Sequence, residues 1–120
     1  MSKHDEPSDQ QAYYRKPQLD RFAAIGDGAP EITARFFEWY GAAMGEGALS
    51  AREKALIALA VAHAIQCPYC IDAYSKASLQ KGADPEQMTE AIHVAAAIRA
   101  GASLVHGTQM LEHLDAMTMK

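Results

Sequence analysis

β-Branched residues are thinly spread through this chain and never alternate with polar ones, so no stretch of it reads as a strand. Excess positive charge is missing as well. The formal net charge of -4 supplies no basic footprint for phosphates, which sets nucleic acid aside as a partner. No apolar run approaches the length needed to cross a bilayer without polar interruption, and Met1 to Gln11 lacks the apolar core of a signal peptide. The expectation is a cytoplasmic protein with no membrane contact. Cysteine is scarce, with Cys67 and Cys70 as the only pair. In a reducing compartment a Cys-x-x-Cys is a reversible redox pair or a set of metal ligands rather than a structural staple.

What is abundant is Ala, Leu, Met, Glu, Lys and Gln, which predicts an all-α fold. A chain of 120 residues fits one domain and leaves no room for separate cofactor and substrate domains. Helical chains of this size often gain stability by burying an apolar face against copies of themselves, so a homo-oligomer is expected. Residues 1–9 are charged, with Pro and Ser and little hydrophobicity, and are expected to form a flexible tail. Residues 10–120 are expected to form a single helical domain.

Within that domain, an amphipathic segment from about Gln10 to Ile25 is expected to break or bend near Pro17 and to end at Gly26 to Gly28. Pro30 opens a second helix carrying Ile32, Phe36, Phe37, Trp39, Tyr40 and Met44, which suits a core or subunit interface better than a ligand cage. Ser50 and Glu53 form the two ends of a capping box for a third helix. That helix is nearly all apolar from Ala55 to Ile65 apart from His63, and is expected to be buried around most of its circumference. Pro68 suits a first helical position and not the continuation of the preceding helix, so a tight turn falls at Cys67. The helix it opens runs to about Lys81, with Gly82 as its stop. Asp84, Pro85 and Gln87 start another helix, expected to bend near Gly101 before a last stretch holding Met110, Leu111 and Leu114.

A Cys-x-x-Cys where a helix begins places unpaired backbone N–H groups and the positive end of the helix dipole beside a thiolate. Its spacing lets the second sulfur attack a mixed disulfide or sulfenic acid formed on the first. Either cysteine is a candidate for first attack: the helix start favours Cys67, and Tyr74, one turn beyond Cys70, favours Cys70. Zinc is the competing use of thiolates, with His63 one turn before Cys67, but a structural site wants four ligands and no second pair is present. No metal and no cofactor are expected. His63 is the nearest base, with a core histidine bonded to a carbonyl as the competing reading. Tyr69 and Tyr74 can relay a proton or simply pack. Glu53 would lie about 20 Å from Cys67 along a straight helix at a rise of ~1.5 Å per residue, so its cap role explains it unless it serves a returning helix or another subunit. His93 and His106 sit on later apolar helices that the sequence does not place, and His113 looks surface-like.

The segment Ser50-Ala51-Arg52-Glu53-Lys54-Ala55-Leu56-Ile57-Ala58-Leu59-Ala60-Val61-Ala62-His63, followed by Cys67-Pro68-Tyr69-Cys70-Ile71-Asp72-Ala73-Tyr74, resembles the core signature of the carboxymuconolactone decarboxylase superfamily on its alkyl hydroperoxidase D-like branch. The resemblance implies an all-α, alkyl hydroperoxidase D-like helical domain assembled as a trimer or hexamer. It also implies a thiol-dependent peroxidase or disulfide oxidoreductase acting on a peroxide or disulfide substrate, recycled by a lipoyl or thioredoxin-like dithiol donor. The implied site is Cys67 and Cys70 with His63, Tyr74 and Glu53. Where the family carries a relay Glu and a relay His, this chain has Ala55 and Tyr74, so the usual relay is altered. The phrase from Ala60 to Tyr74 is similar to peroxidase-like proteins associated with arsenosugar biosynthesis. Two other functions stay open: decarboxylation or lactone chemistry, which leaves the dithiol unexplained, and a non-enzymatic redox-sensing accessory role.

Overall fold

The computed structural model describes residues 14–119, and every regular element among them is helical. The expected tail lies outside the described residues. The helices are α1 (Lys16–Leu19), a 3-10 helix (Phe22–Gly28), α2 (Pro30–Met44), α3 (Ala51–Ala64), α4 (Pro68–Gln80) and α5 (Pro85–Thr118). No helix among the described residues is long and apolar enough to cross a membrane. The chain forms two compact units, one through Lys54 and the other from Ala55 onward.

In the first unit the described part of the expected amphipathic segment is α1 and the 3-10 helix, and its residues 10–13 lie outside the described residues. Pro17 falls in the first turn of α1, where a missing N–H is harmless, so it helps start that helix instead of bending it. The residues after it tighten into the 3-10 helix, which packs against α2. A Cβ on Gly26 would stand 3.0 Å from Thr33 Cγ2, so a glycine lets the two elements approach. Phe36 is the hub of an aromatic cluster on α2, with ring centroids 5.2 Å from Phe37, 6.3 Å from Trp39 and 5.7 Å from Tyr40, and Phe22 reaches Phe37 at 5.8 Å. These rings remain largely exposed on the single chain. The start of α3 matches its sequence signal. Glu53 N–H donates to Ser50 Oγ at 3.0 Å, and Ser50 N–H donates to Glu53 Oε1 at 2.8 Å.

The second unit has a core of small side chains. Ala55, Leu59 and Ala62 form one buried stripe on α3, joined by Ser78, Ala83 and Ala95 from α4, the following loop and α5. The expected burial of α3 around most of its circumference is not met within one chain, where Ile57, Val61 and Ile65 stay exposed. A stripe of this spacing covers one helix face, and the apolar opposite face needs a further layer. Helix α5 runs 34 residues without interruption through Gly101. Glycine weakens a helix interior by about 1 kcal/mol without breaking it, because it keeps its N–H. The start of α5 is as expected, with Gln87 N–H donating to Asp84 Oδ1 at 2.8 Å and Asp84 N–H to Gln87 Oε1 at 3.0 Å.

Helices α3 and α4 end in the same way. At the close of α4, Ala83 N–H reaches the Ser78 carbonyl at 2.9 Å and Gly82 N–H the Leu79 carbonyl at 3.1 Å, with Gly82 at φ 94°. At the close of α3, Cys67 N–H reaches the Ala62 carbonyl at 3.0 Å and Gln66 N–H the His63 carbonyl at 3.2 Å, with Gln66 at φ 59°. Both are Schellman ends, whose left-handed position favours glycine. Gln66 occupies it with a side chain, which costs about 1 kcal/mol relative to glycine. Gly82→Ala is therefore expected to lower unfolding stability by about 1 kcal/mol and Gln66→Gly to raise it by a similar amount. Urea unfolding at fixed protein concentration checks both, and an unchanged midpoint for Gly82→Ala would remove the conformational explanation.

Candidate functional site

The dithiol is built from the junction just described. Because α3 closes on a left-handed residue, the chain turns sharply at Gln66 and Cys67 becomes the N-cap of α4, with φ -104° and ψ 99°. Pro68 follows as the first helical residue, and Cys67 Sγ accepts the backbone N–H of Cys70 at 3.2 Å. Negative charge on this sulfur thus meets a backbone donor at the positive end of a helix.

Both cysteines are free thiols and partly buried. Cys70 is pushed up to about 11, first by burial and then by hydrogen bonding to the Cys67 sulfur and by the charge on that sulfur. It therefore keeps its proton at neutral pH. Tyr74, one turn further along α4, is half-buried, and burial raises its phenol above the ordinary range. It is a proton donor near neutrality.

His63 is the last-turn histidine of α3, and its Nδ1 lies 2.8 Å from the Leu59 carbonyl. A carbonyl oxygen only accepts, so Nδ1 carries the hydrogen and the neutral ring keeps its free lone pair at Nε2. The core-histidine reading thus describes Nδ1. Glu53 opens α3, whereas Cys67 follows the end of that helix. The Glu53 carboxyl is held below its usual value by hydrogen bonds from the Ser50 backbone and side chain, with Arg52 adding a smaller effect against a desolvation that raises it. His93, His106 and His113 are all exposed on α5. Among the described residues no group of three or more His, Cys, Asp or Glu side chains is placed to hold a metal ion.

Two residues of the second unit, Arg99 and Ser78, carry no motif in the sequence. Arg99 Nη1 donates to the Ala64 carbonyl at 2.8 Å, joining α5 to the last turn of α3 just before the Cys-x-x-Cys. One signal pointed to it: Arg99 follows Ile92 and buried Ala95 on the same face of α5. Ser78 lies one turn beyond Tyr74 on α4, is fully buried, and has no hydrogen-bond partner for its hydroxyl. A serine in an apolar helix carries no sequence signal that separates it from a packed alanine.

Residues 30–113 match the model of the carboxymuconolactone decarboxylase family. The chain belongs to that family. Two solved structures carry the likeness into three dimensions. One is a crystal structure of a Methanobacterium thermoautotrophicum protein, 31% identical with a TM-score of 0.68, covering 72% of this chain and 97% of that one. The other is lpg0406, a carboxymuconolactone decarboxylase family protein of Legionella pneumophila, 33% identical with a TM-score of 0.65, covering 81% of this chain and 87% of that one. A Paracoccus denitrificans protein named "Uncharacterized protein 4 in cox locus" is 51% identical over 70 residues, 58% of this chain and 63% of its own length. Within the carboxymuconolactone decarboxylase family, both decarboxylation and thiol peroxidase chemistry are compatible with membership.

Because Cys70 holds its proton, limiting iodoacetamide at pH 8 is expected to label Cys67 first, as read by peptide mapping; preferential labelling of Cys70 would reverse the assignment of thiols. The same shift bears on stability. A thiol that binds its proton more tightly in the folded state stabilises fully below its unfolded value, and that stabilisation is lost as pH rises through about 11. Alkaline unfolding curves between pH 9 and 11 should therefore fall less steeply for Cys70→Ser than for the wild type, with Tyr74 contributing in the same sense to both.

Proposed function

We propose that this chain is a thiol-dependent peroxidase or disulfide oxidoreductase of the alkyl hydroperoxidase D-like branch, in which Cys67 attacks and Cys70 resolves. The observation that carries this reading is the Cys67 sulfur at the N-cap of α4, accepting the Cys70 N–H at 3.2 Å. Decarboxylation or lactone chemistry has no use for a dithiol built into a helix start.

In the proposed cycle the Cys67 thiolate attacks a peroxide oxygen. A sulfur–oxygen bond forms, the oxygen–oxygen bond breaks, and the leaving oxygen takes a proton from the Tyr74 phenol or from water. Cys70, protonated until then, attacks the Cys67 sulfenic acid; the sulfur–sulfur bond forms, the sulfur–oxygen bond breaks, and the Cys70 proton passes by way of His63 Nε2 or water to the departing hydroxyl, which leaves as water. A disulfide substrate follows the same order, with a thiol as leaving group. An external dithiol, lipoyl or thioredoxin-like, returns the pair to the reduced state. Glu53 takes part through the cap that begins α3, and no metal or cofactor enters the cycle.

The similarity of the Ala60–Tyr74 phrase to arsenosugar-associated peroxidase-like proteins supplies a pathway context for this reading, and a cytoplasmic setting is part of the proposal. Assembly into a trimer or hexamer accompanies it. Support comes from the exposed apolar side chains of α2 and α5, among them Ile32 at 73%, Ile98 at 70% and Leu104 at 79% exposure. A redox-sensing accessory role is favoured by one feature, the commitment of His63 Nδ1 to a carbonyl, which leaves fewer groups for proton transfer.

Stoichiometric hydrogen peroxide added to metal-free protein is expected to remove two thiols and two mass units, with neither Cys67→Ser nor Cys70→Ser forming the internal disulfide. Thiols that stay reduced would overturn the oxidoreductase reading. Oxidation that changes oligomer size but is never followed by turnover with a dithiol donor would favour the sensor.

A further inference from the structure

The carbonyl end of α3 and the amide end of α4 meet at the dithiol, and they act oppositely on a negative sulfur. The α4 end contributes the N–H of Cys70. The α3 end presents its last carbonyls, Val61 to Ala64, whose partial negative charge disfavours a thiolate just past the helix end at Cys67. Three of these carbonyls are taken by backbone donors: Val61 by Ile65 at 2.9 Å, Ala62 by Cys67 at 3.0 Å and His63 by Gln66 at 3.2 Å. The fourth, Ala64, is taken by the guanidinium of Arg99 at 2.8 Å.

We infer that Arg99 is a positioning residue for Cys67: it pins the α3–α4 turn to α5 through the Ala64 carbonyl and offsets the negative end of α3, so that the sulfur is presented to α4 as a thiolate. The inference rests on the thiol reading above. Arg99 is suited to both tasks, since its charge persists across the working pH range and its fork leaves further N–H donors after one carbonyl is bound. Other titratable groups around the turn do not duplicate it. On α3, His63 has Nδ1 committed to Leu59. On α4, Cys70 and Tyr74 are neutral at pH 7, and Asp72 is paired with Lys76 at 3.3 Å. On α5, the histidines flanking Arg99, His93 and His106, are exposed.

The test uses the Cys70→Ser background, so that one thiol is present, and follows iodoacetamide alkylation of Cys67 by intact mass from pH 5 to 10. Arg99→Met and Arg99→Gln are expected to slow alkylation at pH 7 by about threefold and to move the pH–rate profile to higher pH, while Arg99→Lys retains most of the rate. Gln can keep a hydrogen bond to the carbonyl without the charge, so its comparison with Lys separates charge from anchoring, and that comparison stands even if Met prevents folding. Profiles that coincide with the parent for both Gln and Lys would overturn the inference and leave Arg99 a fold anchor. Alkylation needs no turnover. A normal Arg99 effect in a protein inert to peroxide would therefore uphold the positioning role while removing the oxidoreductase function.

Discussion

At Gln66 a single left-handed residue separates the end of one helical ladder from the cap of the next, and the placement of both sulfurs depends on it. Had α3 run on for another turn, Cys67 would have been a mid-helix residue with its N–H engaged four residues back and no donor aimed at its sulfur. Instead its N–H closes α3 on the Ala62 carbonyl while its side chain opens α4. One residue thus ends one helix with its backbone and starts another with its sulfur, and Cys70, three positions on, is carried to the same place by the first turn of α4. The side chain at position 66 comes with a conformational penalty that glycine would avoid.

Local chemistry made much of this legible in the sequence. The two capping boxes, Ser50 with Glu53 and Asp84 with Gln87, are closed within four residues and depend on nothing else, and both stand where their pattern put them. Pro68 after Cys67 worked in the same local way. The readings that missed were those in which a weak local signal was overruled by its surroundings. The apolar run of α3 suggests burial all round only if a further layer covers it, and Ile57 and Val61 stay exposed on the single chain. The Arg99–Ala64 bond joins residues far apart in sequence, and no pattern in either segment names the other. His63 was read two ways, and the structure shows its Nδ1 bonded to the Leu59 carbonyl.

The altered relay also gains a physical account. Ala55, at the place where the family carries an acid, is 2% exposed and belongs to the buried stripe of α3 with Leu59 and Ala62. A carboxylate there would be desolvated without a partner in the described core, at a cost of several kcal/mol or a neutralised side chain. This chain uses the position for packing, and the proton transfers proposed above fall to the Tyr74 phenol and His63 Nε2 instead. The second unit is correspondingly lean: apart from Leu59 its buried side chains are small, and most of its bulky apolar side chains are exposed on the single chain.

Helix α5 carries that imbalance furthest. Its 34 residues extend about 50 Å at a rise of ~1.5 Å each, yet Ala95 is its one buried position. Isolated helical stretches of a dozen residues are marginal in water, so the turns beyond Arg99 gain little from their own chain that would offset the entropy of ordering them. On the assembly proposed above, their order is supplied by neighbouring copies. The folding of this arm then becomes a question of mass action: dilution alone would fray it while leaving the junction at Gln66 intact, and how much of the chain is folded would depend on how much of the protein is present.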